Sequence, residues 1–239
     1  MQINEKTLKI EEKGMGMSQK FLIVSVIGIA LSLIGYYIDP RFFHSYLVTY
    51  LFFLTLSLGG LFFVLAHHMF GADWSTSVRR IPENLMLLAP LMLFLSIPII
   101  LNFDAIYQWT NPSYWEHHSI LEGKKAYLNK PFFFIRMGIY FIVWFALISR
   151  LYTLSIKQRT VEDRVKLKNT SAAGIALFAL TISFFGFDAI MSLDPSWFST
   201  MFGVYIFAGS FLSAVAFVTL IALLLRSKGI LIDEINEKH

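Results

Sequence analysis

The stretch Phe52-Phe53-Leu54-Thr55-Leu56-Ser57-Leu58-Gly59-Gly60-Leu61-Phe62-Phe63-Val64-Leu65-Ala66 carries no charge, and its only polar side chains are the hydroxyls of Thr55 and Ser57. It is the middle of a longer apolar run, 44–70. An α-helix needs roughly 20 such residues to cross about 30 Å of hydrocarbon. Five more runs lie at 21–38, 84–103, 131–152, 171–193 and 200–225. A soluble domain can bury one helix of this kind but not six. Backbone amides in lipid must bond within the chain, so the runs predict an all-α, polytopic transmembrane helical bundle of six spans. The expected organisation is a charged segment at 1–19, a six-helix membrane domain at 20–226 and a tail at 227–239.

A hydrophobic content of 56% with 15% charged residues agrees with that class. The chain has no cysteine, which excludes disulfides and any thiolate-held iron–sulfur cluster or structural zinc within it. The net charge of +4 is explained by where the cations fall. With alternating helices, one side holds Lys6, Lys9, Lys13, Lys20, Arg79, Arg80, Arg150, Lys157, Arg159, Arg164, Lys166, Lys168, Arg226, Lys228 and Lys238. The other holds only Arg41, Lys124, Lys125 and Lys130. Fifteen against four predicts that both termini face the cytoplasm (N-in, C-in). The basic excess orients the chain in a lipid bilayer and gives no reason to expect nucleic acid. The first run ends in Tyr36-Tyr37-Ile38-Asp39-Pro40 rather than a small-residue cleavage site, so it reads as a retained helix.

The links differ in character. Asp39-Pro40-Arg41 is a tight turn, and Pro82 falls at the start of the third helix, where a missing amide costs nothing. The longest link, 104–130, is rich in aromatics and contains Trp109, Trp115 and His117-His118. An interfacial aromatic belt and a docking surface for a partner both explain it. The 4–5 link reads as basic, and the 5–6 link, Asp194 to Thr200, has no cation. Gly28/Ser32, Gly59-Gly60 and Gly209/Ser213 read as close-packing faces.

Ionisable groups within spans are costly, about 2.5–3.5 kcal/mol each on insertion scales, and mark function. The candidates are Asp104, Arg136, Asp188, Asp194 and the pair His67-His68. Arg136 lies roughly 7–8 Å inside helix 4, and Asp188 roughly 9 Å inside helix 5, at 1.5 Å per residue. On antiparallel neighbours the two reach similar depth, so an Arg136–Asp188 pair is expected, with Tyr140 one turn away to extend it. Asp104 and Asp194 are placed at the same outer rim. Competition between burial and a neighbouring arginine is how proton-handling carboxylates are tuned. The bland alternative is a snorkelling Arg136 and two solvated aspartates. His67 and His68, at the inner end of helix 2, lack a second-helix histidine and so do not read as haem ligands. They are weaker candidates for taking up cytoplasmic protons. No Walker loop, GxSxG elbow or HExxH pattern is present, and no residue is assigned as catalytic or as a metal ligand.

Three stretches carry a resemblance: Ser57 to Phe63, Pro131-Phe132-Phe133-Phe134-Ile135-Arg136-Met137, and Met191-Ser192-Leu193-Asp194-Pro195-Ser196-Trp197 through Gly203. They look like the second quinone-binding-type membrane subunit of alternative complex III, the bacterial quinol:cytochrome c oxidoreductase. That family is similar to the membrane subunit of polysulfide reductase. The resemblance implies a multi-pass subunit of the bacterial inner membrane that holds quinone or quinol and has no covalently bound cofactor. Its partners would be other membrane subunits and periplasmic iron–sulfur and haem c subunits. Arg136, Ser192 and Asp194 lie in matching motifs, whereas Asp188 rests on depth alone. Family members continue into a second bundle, so the ending Asn236-Glu237-Lys238-His239 is expected to correspond to an internal point of the family pattern. Two readings from other classes stand beside this one: a self-sufficient proton or solute transporter, which predicts a broken helix or midplane polar groups, and a pure assembly anchor.

Overall fold

The computed structural model describes residues 11–39, 41–71, 78–116, 119–158 and 160–227, apart from the side chains of 11–18 and 119–121. His117, His118 and the tail from 228 onward lie outside the described residues. Six helical spans follow in order: α1 Glu11–Ile38, α2 Phe42–Phe70, α3 Arg80–Leu101, α4 Lys130–Lys157, α5 Val161–Ala189 and α6 Phe202–Ser227. Each contains a stretch long and apolar enough to cross a membrane, and no strand occurs among the described residues. We call the end of the bundle with the start of α1 and the close of α6 the terminal face, and the other end the distal face.

Helices α2 and α5 are the hub. Helix α2 packs on α3, α5 and α6, while α5 also meets α4 and α6. Glycine sets the closest approach. A Cβ on Gly59 would sit 2.1 Å from the Ser210 carbonyl oxygen, so only a bare backbone lets α6 cross α2 there. Gly60 meets Leu85 of α3 in the same way. The other expected packing glycines, Gly28 and Gly209, have nothing within 4 Å of their Cβ positions. The expectation of packing faces there is corrected. α1 stands apart from the core, touching it chiefly through Tyr36 and Gly35 against Phe42 and Phe43. Outward-facing leucines, isoleucines and phenylalanines cover the flanks of the bundle, as a hydrocarbon solvent requires.

Two local expectations are revised, and the long link gains a shape. α5 begins at Val161 rather than near 171, so the basic link is in fact the opening turns of a helix. The reason is a capping box: Thr160 Oγ1 accepts from the Asp163 amide, and Asp163 accepts from the Thr160 amide. The link 104–130 is a chain of short helical turns, Phe103–Ile106, Gln108–Thr110, Pro112–Glu116 and Ser119–Lys124. α3 is not continuous: it runs as Arg80–Met86, Leu88–Leu95 and Ile97–Leu101. Pro90 and Pro98 each remove an amide and crowd the carbonyl four residues earlier. Ser57 Oγ lies 3.0 Å from the Leu85 oxygen and 3.2 Å from that of Met86, and Tyr46 Oη donates to Leu95 at 2.8 Å.

Two devices place the functional side chains. Asn129 caps α4, its Oδ1 accepting from the Phe132 amide at 3.0 Å, with Pro131 in the first turn. From that start, the buried positions Phe133, Arg136, Tyr140, Trp144, Leu147, Ile148, Leu151 and Ser155 recur at helical spacing. They form one stripe against α5.

Candidate functional site

Near the distal face, this stripe meets Asp188, whose side chain is wholly enclosed. Arg136 grips it with two parallel hydrogen bonds, Nε to Oδ2 at 2.8 Å and Nη2 to Oδ1 at 2.9 Å. Such forked, charge-assisted pairs are the strong kind, and only arginine has the geometry for them. Tyr140 Oη donates to Oδ2 at 2.7 Å, so the carboxylate takes three hydrogen bonds. The remaining arm of the guanidinium, Nη1, donates to the Tyr127 carbonyl at 3.2 Å. The guanidinium carbon lies 3.8 Å from the Tyr127 ring centroid and 4.3 Å from that of Phe132. Two aromatic faces thus replace part of its water shell. Burial, and then the Asp188 charge, push the Tyr127 phenol above its ordinary range. Tyr127 stays a neutral wall.

The depth argument from sequence put Arg136, Asp188 and Tyr140 together, and they are in contact. The other candidates lie elsewhere. Ser192 is buried beside them, but its hydroxyl donates to the Asp188 main-chain carbonyl rather than to the carboxylate. Asp104 is exposed and pairs with Lys130 at 2.5 Å, which holds its carboxyl below the usual range. Asp194 is also exposed, and it accepts from the Ser196 hydroxyl and amide. Those bonds lower its proton affinity and close the 5–6 turn. Neither rim aspartate touches the pair. His67 Nδ1 lies 2.8 Å from the Phe63 carbonyl, and His68 is at the terminal face beside Glu83.

Beside the ion pair is a cavity of about 220 Å³ with almost wholly apolar walls. Phe133, Phe185 and Ala189 form its inner side, with the hydroxyl-bearing Tyr50, Ser96 and Tyr107. Its lining includes the exposed Leu93, Ile100 and Gly138 on the apolar flank of α3 and α4, so it is reached from the lipid side. Tyr107 is the bridge: its hydroxyl donates to the Ala189 carbonyl at 2.9 Å, one peptide from Asp188. Burial pushes this phenol above its ordinary range, with Tyr50 and Asp188 adding to it.

No family model matches the chain, and no curated protein matches it. The geometry therefore carries the functional argument.

Tyr107, Tyr127 and Glu83 were not singled out from the sequence. The tyrosines come from the 104–130 link, whose folding back over the bundle leaves no periodic trace. Glu83 did leave a signal. It is an acid at the mouth of an apolar run, three and four residues after Arg80 and Arg79.

Proposed function

We propose that this chain is an integral membrane subunit of a respiratory quinol:cytochrome c oxidoreductase of the alternative complex III type. It contributes scaffold and a quinone- and proton-handling site near the periplasmic face. The observation that carries this reading is the pairing of a lipid-accessible apolar cavity with a buried, hydrogen-bonded Asp188–Arg136–Tyr140 cluster one peptide away. A flat ring delivered from the bilayer fits a cavity of about 220 Å³ better than a hydrated solute does. The Tyr107 and Ser96 hydroxyls donate to the Ala189 and Leu93 carbonyls, which leaves their oxygens to accept from a ring hydroxyl. The positive-inside charge pattern supports a distal face turned away from the cytoplasm, which in this reading is the periplasmic side of a bacterial inner membrane.

Oxidation of a quinol sets free two protons and two electrons. This chain, with neither cysteine nor a paired set of intramembrane histidines, supplies the proton side alone. Asp188 accepts the proton at its carboxylate, Tyr140 and Arg136 orient that carboxylate, and Tyr107 fixes the Ala189 carbonyl of the cavity wall, one peptide along the chain. Electrons leave to iron–sulfur and haem c centres in partner subunits. An open basin of about 520 Å³ in the distal link, lined by Trp109, Trp115, Glu122 and Lys125 among others, supports docking of such partners there.

The transporter reading draws support from the broken α3. Carbonyls at its two breaks are engaged by Ser57 and Tyr46 of this same chain, which leaves them poor ion ligands. To test the oxidoreductase reading, Asp188→Asn is introduced into the assembled complex. Quinol:cytochrome c turnover is expected to fall at least about tenfold with the subunits still associated, in the range of general acid–base contributions. Unchanged turnover and proton release would defeat it.

A further inference from the structure

At the opposite end of the α4 stripe, Glu83 is as fully enclosed as Asp188. Its carboxylate draws in three helices. Ser155 Oγ of α4 donates to Oε1, Arg80 Nη1 donates to Oε2 at 2.6 Å, and Arg79 Nε is 3.4 Å from Oε1. His68 Nε2 of α2 stands 3.9 Å from the same oxygen, too far for a hydrogen bond. That nitrogen is buried and has no hydrogen-bond partner among the described residues, and Arg79 Nε is in the same state. Buried polar atoms without partners are uncommon and ask for a reason.

From these distances we infer that His68 and Glu83 form a reversible proton-binding site that exchanges with the aqueous phase at the terminal face. The ligand is a proton. It binds the free His68 imidazole nitrogen, making an imidazolium that closes on Glu83 Oε1 by about 1 Å to reach ordinary hydrogen-bond length. The site gives the proton up when His68 swings back, and no other bond is made or broken. Arg79 faces the same oxygen and also donates from Nη1 to Gln158 Oε1 at 3.0 Å, so it competes with the imidazolium and keeps binding reversible. Arg80, half exposed, provides the contact with water. From α2, His67 lies alongside, its Nδ1 turned to Phe63. Ser155 and Gln158 are the groups that face the cluster from α4. On α6, the nearest described charge to this end is the exposed Arg226.

This site is separate from Asp188. Nineteen residues of α4 part Ser155 from Arg136, roughly 28 Å at 1.5 Å per residue. Between them the buried stripe is Trp144, Leu147, Ile148 and Leu151, backed by Phe178 and Leu65. The inference does not rest on the quinol reading.

The test is histidine titration of the full chain in lipid nanodiscs, with ¹⁵N-labelled imidazoles followed across about pH 3–8, wide enough for a buried imidazole beside an arginine. The His68 signal is identified by its loss in His68→Gln. His68 is expected to titrate. Glu83→Gln should weaken its proton binding about tenfold or more, since an opposite charge is removed. Ser155→Ala and Arg79→Gln should each strengthen it, because one frees Oε1 and the other removes a competing cation. Opposite shifts of this kind do not arise from loosened packing, and the gains in Ser155→Ala and Arg79→Gln remain readable if Glu83→Gln fails to fold. Asp104→Asn, at the exposed distal rim, should leave the His68 titration where it is. A His68 that stays neutral throughout, or a midpoint indifferent to these changes, overturns the inference.

Discussion

The Ser57 hydroxyl of α2 stands opposite the break that Pro90 makes in α3. Its oxygen lies 3.2 Å from the Met86 carbonyl, the group a residue at position 90 would otherwise serve, and 3.0 Å from that of Leu85. In hydrocarbon such a carbonyl has no water to turn to, so the break in α3 and the serine opposite it belong together. Ser57→Ala is expected to destabilise the bundle by about 1–3 kcal/mol. In a Pro90→Ala background, where the amide returns, the same change should cost less. Unfolding in mixed micelles, run as a double-mutant cycle, measures the difference. Equal costs in both backgrounds would break the link between the two residues.

The Arg136–Asp188 pair makes an asymmetric prediction. Removing one partner strands the other charge in an apolar interior, which costs about 3–5 kcal/mol. Arg136→Met alone and Asp188→Asn alone should therefore each destabilise strongly. The double variant should lose clearly less than the sum of the two. Strict additivity in thermal or denaturant unfolding would mean that the two side chains do not share one site.

The packing glycines separate cleanly. Gly59→Ala pushes a methyl into the Ser210 backbone and should cost about 1–3 kcal/mol or more through overpacking of α2 against α6. Gly209→Ala meets nothing within 4 Å and should fall within about 1 kcal/mol of neutral. Side-by-side melting of the two variants checks both.

Gly138 offers a way to plug the cavity without touching its chemistry. It lines the cavity, and a Cβ there has nothing within 4 Å. Gly138→Phe should fold normally while weakening binding of a quinone analogue at least about tenfold, read by fluorescence quenching in nanodiscs. Undiminished binding would place the ligand elsewhere.

The distal link should loosen in acid. The Lys130 ammonium and Thr110 hold the Asp104 carboxyl below its ordinary value. A lowered folded value means that the contribution is present above the unfolded value and fades as pH falls through the folded one. The pair is largely exposed, so the effect is small. Hydrogen exchange in 103–130 should rise below about pH 4, near the ordinary aspartate range, and Asp104→Asn should remove that pH dependence.

Much of the site was legible in the sequence because helix geometry is regular. Counting residues inward from the span ends puts Arg136 and Asp188 at one depth on antiparallel neighbours, and Tyr140 follows at one helical turn. Counting gives depth but not azimuth. Asp104 and Asp194 share the rim with the pair, yet their carboxylates turn to Lys130 and Ser196. Tyr107 and Tyr127 reach the site through a link whose path no periodicity encodes. Glu83 sat in plain view just after Arg79 and Arg80, and only the packing of α2, α3 and α4 shows that water is shut out around it.

The sequence by itself determined that the chain is a six-span helical membrane protein. Apolar length and the need to satisfy every amide in lipid leave no other solution. Tertiary structure alone decided which side chains cover the breaks in α3, which glycines bear contacts, and that a lipid-side cavity lies one peptide from a buried carboxylate. Those outcomes depend on how side chains from distant helices turn toward one another. That rotation is fixed by interhelical packing and hydrogen bonds, not by the composition of any one span.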